Sequence, residues 1–420
     1  MTTTYRVDGT AGSDSTGNGS AGNPYKTIQK CAPSGTFADD DILLELVAGT
    51  TIDAITPGNA PFTTANNRSL TIRAVGGGAR PYVNCTNRGF KAAGTGSLDF
   101  QDVDIHGSTV GNGMESKTGG SLRCVNTDIH GFATSIKCGT GTILLDGFWL
   151  DKPASNGFQL DAPGDQPIAT SAQVLNGRCT AASPTQQDLL VFHDGGYGVL
   201  KPLVDNVRVE ALPGAYVESG IDIQQGFAGA TLRNFTIVGA SQWGIVMGSF
   251  YKGGLSVNTW NTKSQMLAAY YRETIGNAGG QAISAGHCAW VIADGGNNGI
   301  YRLTGNDPRD GASWTGPMTA ADLAATTANL IYSGLIQDCV AGIQVQHPGS
   351  QLVAVRVLGT TGGNWVGADA SGTGNPLALY DMGYDLKIED CVFAHMAGKY
   401  AEAKLGGFTG NMLNSTRSVL

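Results

Sequence analysis

Apolar and polar residues alternate in a short frame that returns many times along the chain. In residues 97–107 the apolar positions are Leu98, Phe100, Val103 and Ile105, which are two apart, then three, then two, and the frame comes back at 121–131 as SLRCVNTDIHG. A spacing of two is the alternation of a β-strand, and the step of three needs one extra residue that turns the chain. An amphipathic helix would place apolar residues at i, i+3, i+4 and i+7 instead. The frame predicts two short strands joined by a one-residue corner.

The corner residue of this frame is Asn or Asp in most copies. These residues tolerate the left-handed backbone conformation better than other residues that carry a side chain. A third strand, usually opened by Gly and a large apolar residue, precedes most copies. Corners are predicted at Asp102, Asn126, Gly147, Asn176, Asn206, Asn234, Asp338, Ala354 and Asp390, with Asn258 a looser case. Third strands are predicted to open at Gly89, Gly113, Gly157, Gly220, Gly244 and Gly342.

Three short strands in each period predict an all-β solenoid, a right-handed parallel β-helix whose coils stack roughly 4.8 Å apart. A β-sandwich or propeller would need hairpin turns of the Asn-Gly kind, which are sparse here. The inward residues should be buried in vertical columns. They include Phe100, Ile105, Leu145, Val174, Val204, Leu232, Ile237, Leu352, Ile388 and Phe393.

The regularity of the frame divides the chain into segments. Residues 1–40 are predicted to form an N-terminal strand, a loop and a short cap helix that begins at Asn23-Pro24, since a solenoid needs a cover over its first coil. Residues 41–398 are assigned to the β-helix, with a long irregular excursion at 259–333. Residues 399–420 lack the repeat and are interpreted as a C-terminal cap or a subunit contact.

Composition limits the possible partners. The net charge is −8 and the isoelectric point is about 5.2, whereas a nucleic-acid-binding protein would normally show a basic face. The chain opens without a secretory signal and contains no apolar run long enough to span a membrane. We therefore expect no nucleic acid, no membrane insertion, and either a cytoplasmic origin or a targeting segment that has been removed.

Metal-binding and cofactor motifs are not evident in the sequence. The eight cysteines form no CxxC pair and are interpreted as buried thiols in inward columns. Residues 12–22 supply few carboxylates for calcium and are interpreted as a surface loop. Asn126-Thr127-Asp128 matches a polygalacturonase motif, but its partner motifs are missing, so we interpret it as a corner followed by an outward Asp. No metal and no cofactor are predicted.

The N-terminal segment carries a family resemblance. An aromatic-led strand, a Gly- and Asp-rich loop and a Pro-x-x-Thr-Ile-Gln stretch at 24–29 resemble the entry of pectate-lyase-like β-helix proteins. That superfamily includes polysaccharide lyases, glycoside hydrolases and phage tailspikes. The resemblance implies the fold over roughly the whole chain, a polysaccharide ligand and, in its tailspike branch, a homotrimer. The trimer contact is expected to use outward apolar residues such as Val246 and Leu190 or Val191.

Acidic residues gather between 157 and 225, where the loops lengthen. The candidate catalytic residues are Asp188, Asp194, Glu218 and Asp222. Asp222 alternates with inward isoleucines and should point outward, and stacked acids on one face of a β-helix would supply the two carboxylates of glycoside hydrolysis. Solvated surface acids are the alternative interpretation. His193 beside Asp194 would suit the base of a lyase instead.

Aromatic residues concentrate in the excursion. Sugar rings stack their C–H faces on aromatic faces while their hydroxyls seek polar partners, although a Trp also serves to fill a gap in packing. The candidate carbohydrate-binding residues are Trp260, Tyr270, Tyr271, Trp290, Tyr301 and Trp314.

Three functional hypotheses follow. The leading one is a homotrimeric phage tailspike-like or fibre-like protein on the virion surface, in contact with other virion proteins. It binds a bacterial surface polysaccharide, and whether it also depolymerises that polysaccharide is left open by the sequence. The second is a non-enzymatic structural or decoration protein of a virion. The third is a secreted pectate-lyase-like lyase or hydrolase. The release of oligosaccharides from purified polysaccharides would separate the first from the second.

Overall fold

A computed structural model gives the fold. The described residues are 1–55, 60–116, 120–139, 141–161, 171–185, 188–193, 202–224, 230–248, 330–345 and 351–359, with strands at 288–291, 299–303, 314–315, 379–381, 387–396, 401–403, 412–413 and 416–419.

The chain divides into two compact units, and nearly all of its described secondary structure is β. The first unit comprises Met1–Asp161, Ala169–Val191 and Val204–Val217, and the second comprises Ala162–Ile168, Phe192–Leu203 and Glu218–Leu420. Strands up to β19 are β1 Thr2–Val7, β2 Asp41–Val47, β3 Thr51–Ala54, β4 Phe62–Thr63, β5 Leu70–Val75, β6 Tyr82–Cys85, β7 Phe90–Lys91, β8 Leu98–Gln101, β9 Asp104–His106, β10 Asn112–Ser116, β11 Leu122–Val125, β12 Asp128–His130, β13 Thr134–Cys138, β14 Thr142–Asp146, β15 Trp149–Asp151, β16 Asn156–Asp161, β17 Ser171–Ala181, β18 Asp188–His193 and β19 Leu203–Ala211.

Strands of the first unit pair in parallel with their equivalents in neighbouring coils. Thus β8 lies between β5 and β11, β9 lies between β6 and β12, and β10 lies between β7 and β13. Because equivalent strands are one period apart in sequence, the chain winds as a parallel β-helix with three strands per coil. The fold predicted from the sequence is confirmed.

The second unit repeats the same winding. Here β21, β27, β30, β33 and β36 pair in parallel succession, as do β22, β28, β31, β34 and β37. The strands are β20 Ser219–Gln224, β21 Thr231–Arg233, β22 Thr236–Val238, β23 Trp243–Gly248, β24 Cys288–Val291, β25 Gly299–Leu303, β26 Trp314–Thr315, β27 Leu330–Tyr332, β28 Leu335–Gln337, β29 Ala341–Val345, β30 Gln351–Val353, β31 Arg356–Leu358, β32 Leu379–Asp381, β33 Lys387–Glu389, β34 Val392–Met396, β35 Ala401–Ala403, β36 Met412–Leu413 and β37 Thr416–Val419. Parallel pairing therefore extends into residues 399–420, which the sequence analysis set apart.

The predicted inward columns form the core. Nine of the ten residues named from the sequence are fully buried, and the side chain of Phe393 lies outside the described residues. Seven of the eight cysteines are buried and free, as expected, and burial raises the pKa of Cys85 and Cys124 to about 12; the side chain of Cys288 lies outside the described residues. These thiols pack as small apolar residues.

The corners adopt the left-handed conformation that the frame requires. Positive φ values of 47–66° occur at the predicted corners, and Asn258 lies outside the described residues. Side-chain amides link successive corners, since Asn206 Nδ2 donates to Asn176 Oδ1 at 2.9 Å and Asn126 Nδ2 donates to Asp102 Oδ1 at 2.5 Å. The corners thus form a hydrogen-bonded ladder.

One predicted corner, Asp338, lies at the following turn of its coil and not at the corner between the first two strands. Asp338 has φ 54°, but it follows β28 and so occupies the next turn, at the place where Gly239 and Gly359 follow β22 and β31. The corner of this coil is Ser333, between β27 and β28, with φ 54°. The prediction was wrong in register, because the sequence around Ile336 fits the apolar frame in more than one alignment.

The glycines that open the third strands have a packing role. A Cβ on Gly89 would lie 1.9 Å from the carbonyl oxygen of Gly113, and a Cβ on Gly220 or Gly244 would lie 2.8 Å from the carbonyl oxygen of the corresponding glycine one coil further on. Real Cβ atoms do not approach backbone oxygens so closely, so only glycine fits where each coil enters its third strand.

The N-terminal helix is shorter than predicted. It is a single 3-10 turn, Ile28–Lys30, although Ile28 is fully buried as a cap residue should be. The Asp14 carboxylate accepts the backbone N–H groups of Lys26 and Thr27 at 2.9 and 3.1 Å, and Tyr25 bonds to Arg6 through its backbone. These bonds hold the chain extended where a longer helix would have begun. No helix in the described part of the chain is long and apolar enough to cross a membrane.

Candidate functional site

Two of the four predicted catalytic acids lie at one strand of the second unit. Asp222 is within β20, between the buried residues Ile221 and Ile223, and it is itself only 4% exposed. It therefore has the predicted outward register but is covered rather than solvated. Glu218 directly precedes the strand and is half-buried, and burial raises the pKa of its carboxyl group above the usual value.

The long insertion leaves the β-helix beside this strand. β20 pairs with β23, with Asp222 opposite Val246 and Gln224 opposite Gly248, the last residue of β23. The next strand of the coil stack is β27, which pairs directly with β21. Residues between 248 and 330 are therefore one insertion between consecutive coils, and it begins two residues beyond the level of Asp222.

The described part of the insertion is a small antiparallel sheet of β24, β25 and β26. In its register Trp290 is opposite Ile300, Tyr301 is opposite Ala289, and Trp314 is opposite Leu303. Three of the six aromatic candidates thus belong to one three-stranded sheet. The other candidates, Trp260, Tyr270 and Tyr271, lie outside the described residues.

The remaining predicted acids are Asp188 and Asp194. Asp188 begins β18 and belongs to the first unit, where its backbone N–H donates to Asn156 Oδ1 at 3.4 Å. Asp194 lies outside the described residues. Glu218 and Asp222 are the two predicted acids that lie within four residues of each other, one directly before β20 and one within it.

A second cluster of polar side chains lies on the first unit, where the sequence analysis named no site. It occupies the strands that follow the corners in three successive coils, β9, β12 and β15. The register places Asp104 opposite Asp128, His106 opposite His130, and His130 opposite Asp151. Residues i and i+2 of a strand share a face, so Asp104 and His106 project on the same side as their partners one coil away.

His130 lies at the centre of this cluster and contacts two carboxylates. Its Nε2 is 3.1 Å from Asp104 Oδ1, and its Nδ1 is 3.2 Å from Asp151 Oδ2. Asp104 Oδ1 also lies 2.8 Å from His106 Nε2. Asp151 is 7% exposed, and its second oxygen, Oδ1, has no hydrogen-bond partner. A carboxylate oxygen and two imidazole nitrogens, from Asp104, His106 and His130, therefore lie within 4.8 Å of one another.

The charges of the cluster reinforce one another. Burial alone would raise the pKa of Asp104, but hydrogen bonds to His106 and His130 outweigh it and hold that pKa well below its usual range. Burial alone would lower the pKa of His130, but its hydrogen bonds to Asp104 and Asp151 raise it. The cluster is therefore a hydrogen-bonded network of carboxylate and imidazole groups.

Aromatic rings enclose the histidines. Tyr82 stacks on His106 at 4.1 Å between ring centroids, and His106 stacks on His130 at 4.2 Å. The edge of Trp149 meets His130 at 5.0 Å, and the Arg178 guanidinium lies 5.6 Å from the centre of the Trp149 ring. These contacts fix the orientation of both imidazoles.

The sequence contained a signal for this cluster. Asp-Ile-His occurs twice at the same place in the frame, at 104–106 and 128–130. Strand alternation alone also explains this repeat, so no site was predicted from it. The supporting carboxylate, Asp151, occupies the position of the histidine in the next coil and belongs to no local motif.

Comparison with known proteins gives structural likeness at low sequence identity. No protein-family model matches the sequence, and no curated protein does. An alginate lyase from Paenibacillus sp. str. FPU-7 is 11% identical with a TM-score of 0.41, covering 99% of each chain. The catalytic domain of a GH87 α-1,3-glucanase bound to nigerose is 12% identical with a TM-score of 0.41, over 88% of this chain and 64% of that one. A mannuronic acid-specific polysaccharide family 6 lyase from human gut microbiota is 10% identical with a TM-score of 0.38, over 100% of this chain and 82% of that one. These structural neighbours are polysaccharide-degrading enzymes, and likenesses at such scores carry no argument about the activity of this chain.

Proposed function

We propose that the protein binds a bacterial surface polysaccharide and depolymerises it, with Glu218 and Asp222 as the catalytic pair. The observation that supports this most is the setting of the two acids. Asp222 is a buried carboxylate at an outward position of β20, and Glu218, which directly precedes that strand, has a raised pKa. A carboxyl group with a perturbed pKa, such as that of Glu218, is a typical feature of functional sites.

The two acids suit a division of roles in glycoside hydrolysis. The raised pKa of Glu218 favours its protonated form, which is the form that protonates the leaving oxygen. Asp222 would then act as the base that activates water. Four residues of strand separate the two Cα atoms by roughly 13 Å at about 3.3 Å per residue, and both side chains fall on the same side. A Cα separation of roughly 13 Å exceeds the carboxyl separation of either mechanism, so the two side chains would have to lean toward each other; the separation of about 6.5–9.5 Å for inversion is nearer than that of about 5–5.5 Å for retention.

The insertion between β23 and β27 is proposed to bind the sugar rings. It starts at Gly248, next to β20, and carries Trp290, Tyr301 and Trp314 on its described strands. We assign sugar stacking to these residues together with Trp260, Tyr270 and Tyr271, since aromatic faces take the C–H faces of sugar rings. A long insertion between regular elements is more often functional than an ordinary turn.

The biological setting is also part of the proposal. We place the protein on a phage virion, as a homotrimeric tailspike-like or fibre-like appendage in contact with other virion proteins, on the basis of the sequence resemblance alone. The trimer contact does not use Leu190 and Val191 as expected, because both are fully buried within the chain, while Val246 is half-buried. Light scattering that shows a stable monomer at micromolar concentration would contradict the trimer.

The test is polysaccharide cleavage by the purified full-length chain. A panel of purified capsular and lipopolysaccharide O-antigen glycans is incubated with the parent protein and with Glu218→Gln and Asp222→Asn. We expect new reducing ends from one glycan, and a loss of turnover by orders of magnitude in both variants with glycan binding retained. The matched control is Glu210→Gln, because hydrogen bonds to Arg208 and Arg178 lower the pKa of Glu210 despite some burial, opposite to Glu218.

The same assay separates the alternatives. Products with an ultraviolet-absorbing double bond would show elimination and support the lyase hypothesis instead. Glycan binding without cleavage would remove the catalytic assignment and leave a binding protein. If the protein neither binds nor cleaves any glycan in the panel, the result would support the hypothesis of a structural or decoration protein.

A further inference from the structure

We propose that Asp104, His106 and His130 bind a divalent transition-metal ion, with Zn²⁺ as the ion that suits them best. Imidazole nitrogen and carboxylate oxygen are common zinc ligands, and a site with three protein ligands leaves a fourth position for water or substrate. This inference concerns a different group of residues from Glu218 and Asp222 and does not depend on the proposed function.

The distances between the ligand atoms already approach those of a metal site. Asp104 Oδ1 lies 2.8 Å from His106 Nε2 and 3.1 Å from His130 Nε2. Two ligands about 2.0–2.1 Å from a zinc ion are roughly 3.3 Å apart at the tetrahedral angle and about 2.9 Å apart at a right angle. An ion that replaced the protons of these two hydrogen bonds would change the two oxygen–nitrogen distances by only a few tenths of an ångström, and it would draw the two imidazole nitrogens, which lie within 4.8 Å of each other, to roughly 3.3 Å.

A supporting carboxylate is also in place. Histidines that bind metals usually donate their other ring N–H to a carboxylate, which fixes the tautomer and strengthens the ligand. The Nδ1 of His130, the nitrogen that faces away from Asp104, lies 3.2 Å from Asp151 Oδ2. Asp151 is more than nine-tenths buried, and Lys152 Nζ lies 3.7 Å from the same oxygen.

The site is held by rigid backbone and is open to solvent on one side. The strands β9 and β12 pair residue by residue, so His106 and His130 are fixed one coil apart, and stacking against Tyr82 restricts the His106 ring. The side chains of Asp104 and His106 are 30% and 28% exposed, which gives an ion a route of entry.

The second Asp of the repeated motif provides a matched control. Asp128 occupies the same outward position as Asp104, one coil further on. Its Oδ1 lies 2.9 Å from Arg80 Nη1, so it is neutralised by an arginine and is not within the cluster of ligand atoms. The proposal therefore predicts opposite outcomes for the same substitution at two equivalent positions.

The test is direct metal binding by the untagged full-length chain after treatment with a chelator. We expect calorimetry to show one Zn²⁺ per chain, and Co²⁺ to give the visible absorption of a site with nitrogen and oxygen ligands. Asp104→Asn and His130→Gln should abolish binding, Asp151→Asn should weaken it about 10–100-fold, and Asp128→Asn should leave it unchanged.

Folding of each variant is checked by circular dichroism and by its unfolding transition in chelator, so a loss of binding in a folded variant is meaningful. Zn²⁺ should raise the unfolding temperature of the parent and of Asp128→Asn, and should leave that of Asp104→Asn unchanged. The proposal is overturned if the parent binds no Zn²⁺ or Co²⁺ at millimolar concentration, or if Asp128→Asn loses binding as completely as Asp104→Asn does.

Discussion

The corner ladder makes a quantitative prediction about single residues. Asn206 has φ 54° and is exposed, and its side-chain amide donates to Asn176 Oδ1 at 2.9 Å. Asn206→Ala keeps the backbone path but places a residue with a poor left-handed preference at the corner and removes the bond. No core contact changes, so any loss of stability comes from the conformational cost at the corner and from the lost hydrogen bond.

The size of the effect follows from those terms. A left-handed conformation costs an ordinary L-residue about 1–2 kcal/mol, and Asn recovers part of this. An exposed hydrogen bond contributes a net of about 0.5 kcal/mol, the low end of the usual range. We expect Asn206→Ala to lower the free energy of unfolding by about 1.5 kcal/mol.

The reciprocal change should act in the opposite direction. Ala354 occupies an equivalent corner with φ 53°, between the corners Ser333 and Asp390 of the neighbouring coils. Both neighbours carry side-chain oxygens that accept hydrogen bonds. Ala354→Asn should therefore raise the free energy of unfolding by about 1 kcal/mol, because it relieves the left-handed cost and adds a rung to the ladder.

Equilibrium unfolding in urea, followed by circular dichroism, measures both changes when the slope with denaturant is common to parent and variants. The reasoning is refuted if Asn206→Ala lies within about 0.3 kcal/mol of the parent, below the smallest of the expected terms. A destabilised Ala354→Asn would refute it as well.

Three further predictions concern the core, the glycines and pH. Leu232→Ala should cost about 2–5 kcal/mol in urea unfolding, because the fully buried side chain would leave a cavity. Gly334→Ala should cost about 1–3 kcal/mol, because its Cβ would lie 2.0 Å from the Phe235 ring, whereas Gly22→Ala, with open space around it, should cost far less. Glu218 has a raised pKa in the folded state, so its ionisation lowers stability as pH rises through that pKa, and Glu218→Gln should be more stable than the parent at pH 7. That gain should disappear below the ordinary glutamate pKa, and a gain that is constant with pH would contradict the assignment.

The fold could be predicted from the sequence because its rules are local. Alternation along each strand and one left-handed residue at each corner are visible within eight residues, as at Asn126 and Asn234. The corner was predicted at the wrong residue, Asp338 in place of Ser333, where two alignments of the frame were possible. The cap helix was predicted to be too long, because the side chain of Asp14 accepts the backbone N–H groups of residues 26 and 27, where a longer helix would have begun.

The candidate sites were less accessible to such reasoning. An outward position on a strand was correctly assigned to Asp222, but whether something covers it depends on parts of the chain far away in sequence. The cluster around His130 needs three coils in register, and its members are spread over residues 104–151. Register of that accuracy follows from the strand pairing and not from the frame alone.

The insertion between β23 and β27 has a consequence for how the protein folds. Within the regular coils, partners such as Asn126 and Asp102 are 24 positions apart, but Arg233 and Tyr332, which bond across the junction, are 99 positions apart. Closing the longer loop costs about 1.3 kcal/mol more in chain entropy, from the logarithm of that ratio. Coil-by-coil propagation should therefore pause at this junction, and the strands before it should gain hydrogen-exchange protection earlier during refolding than the strands after it.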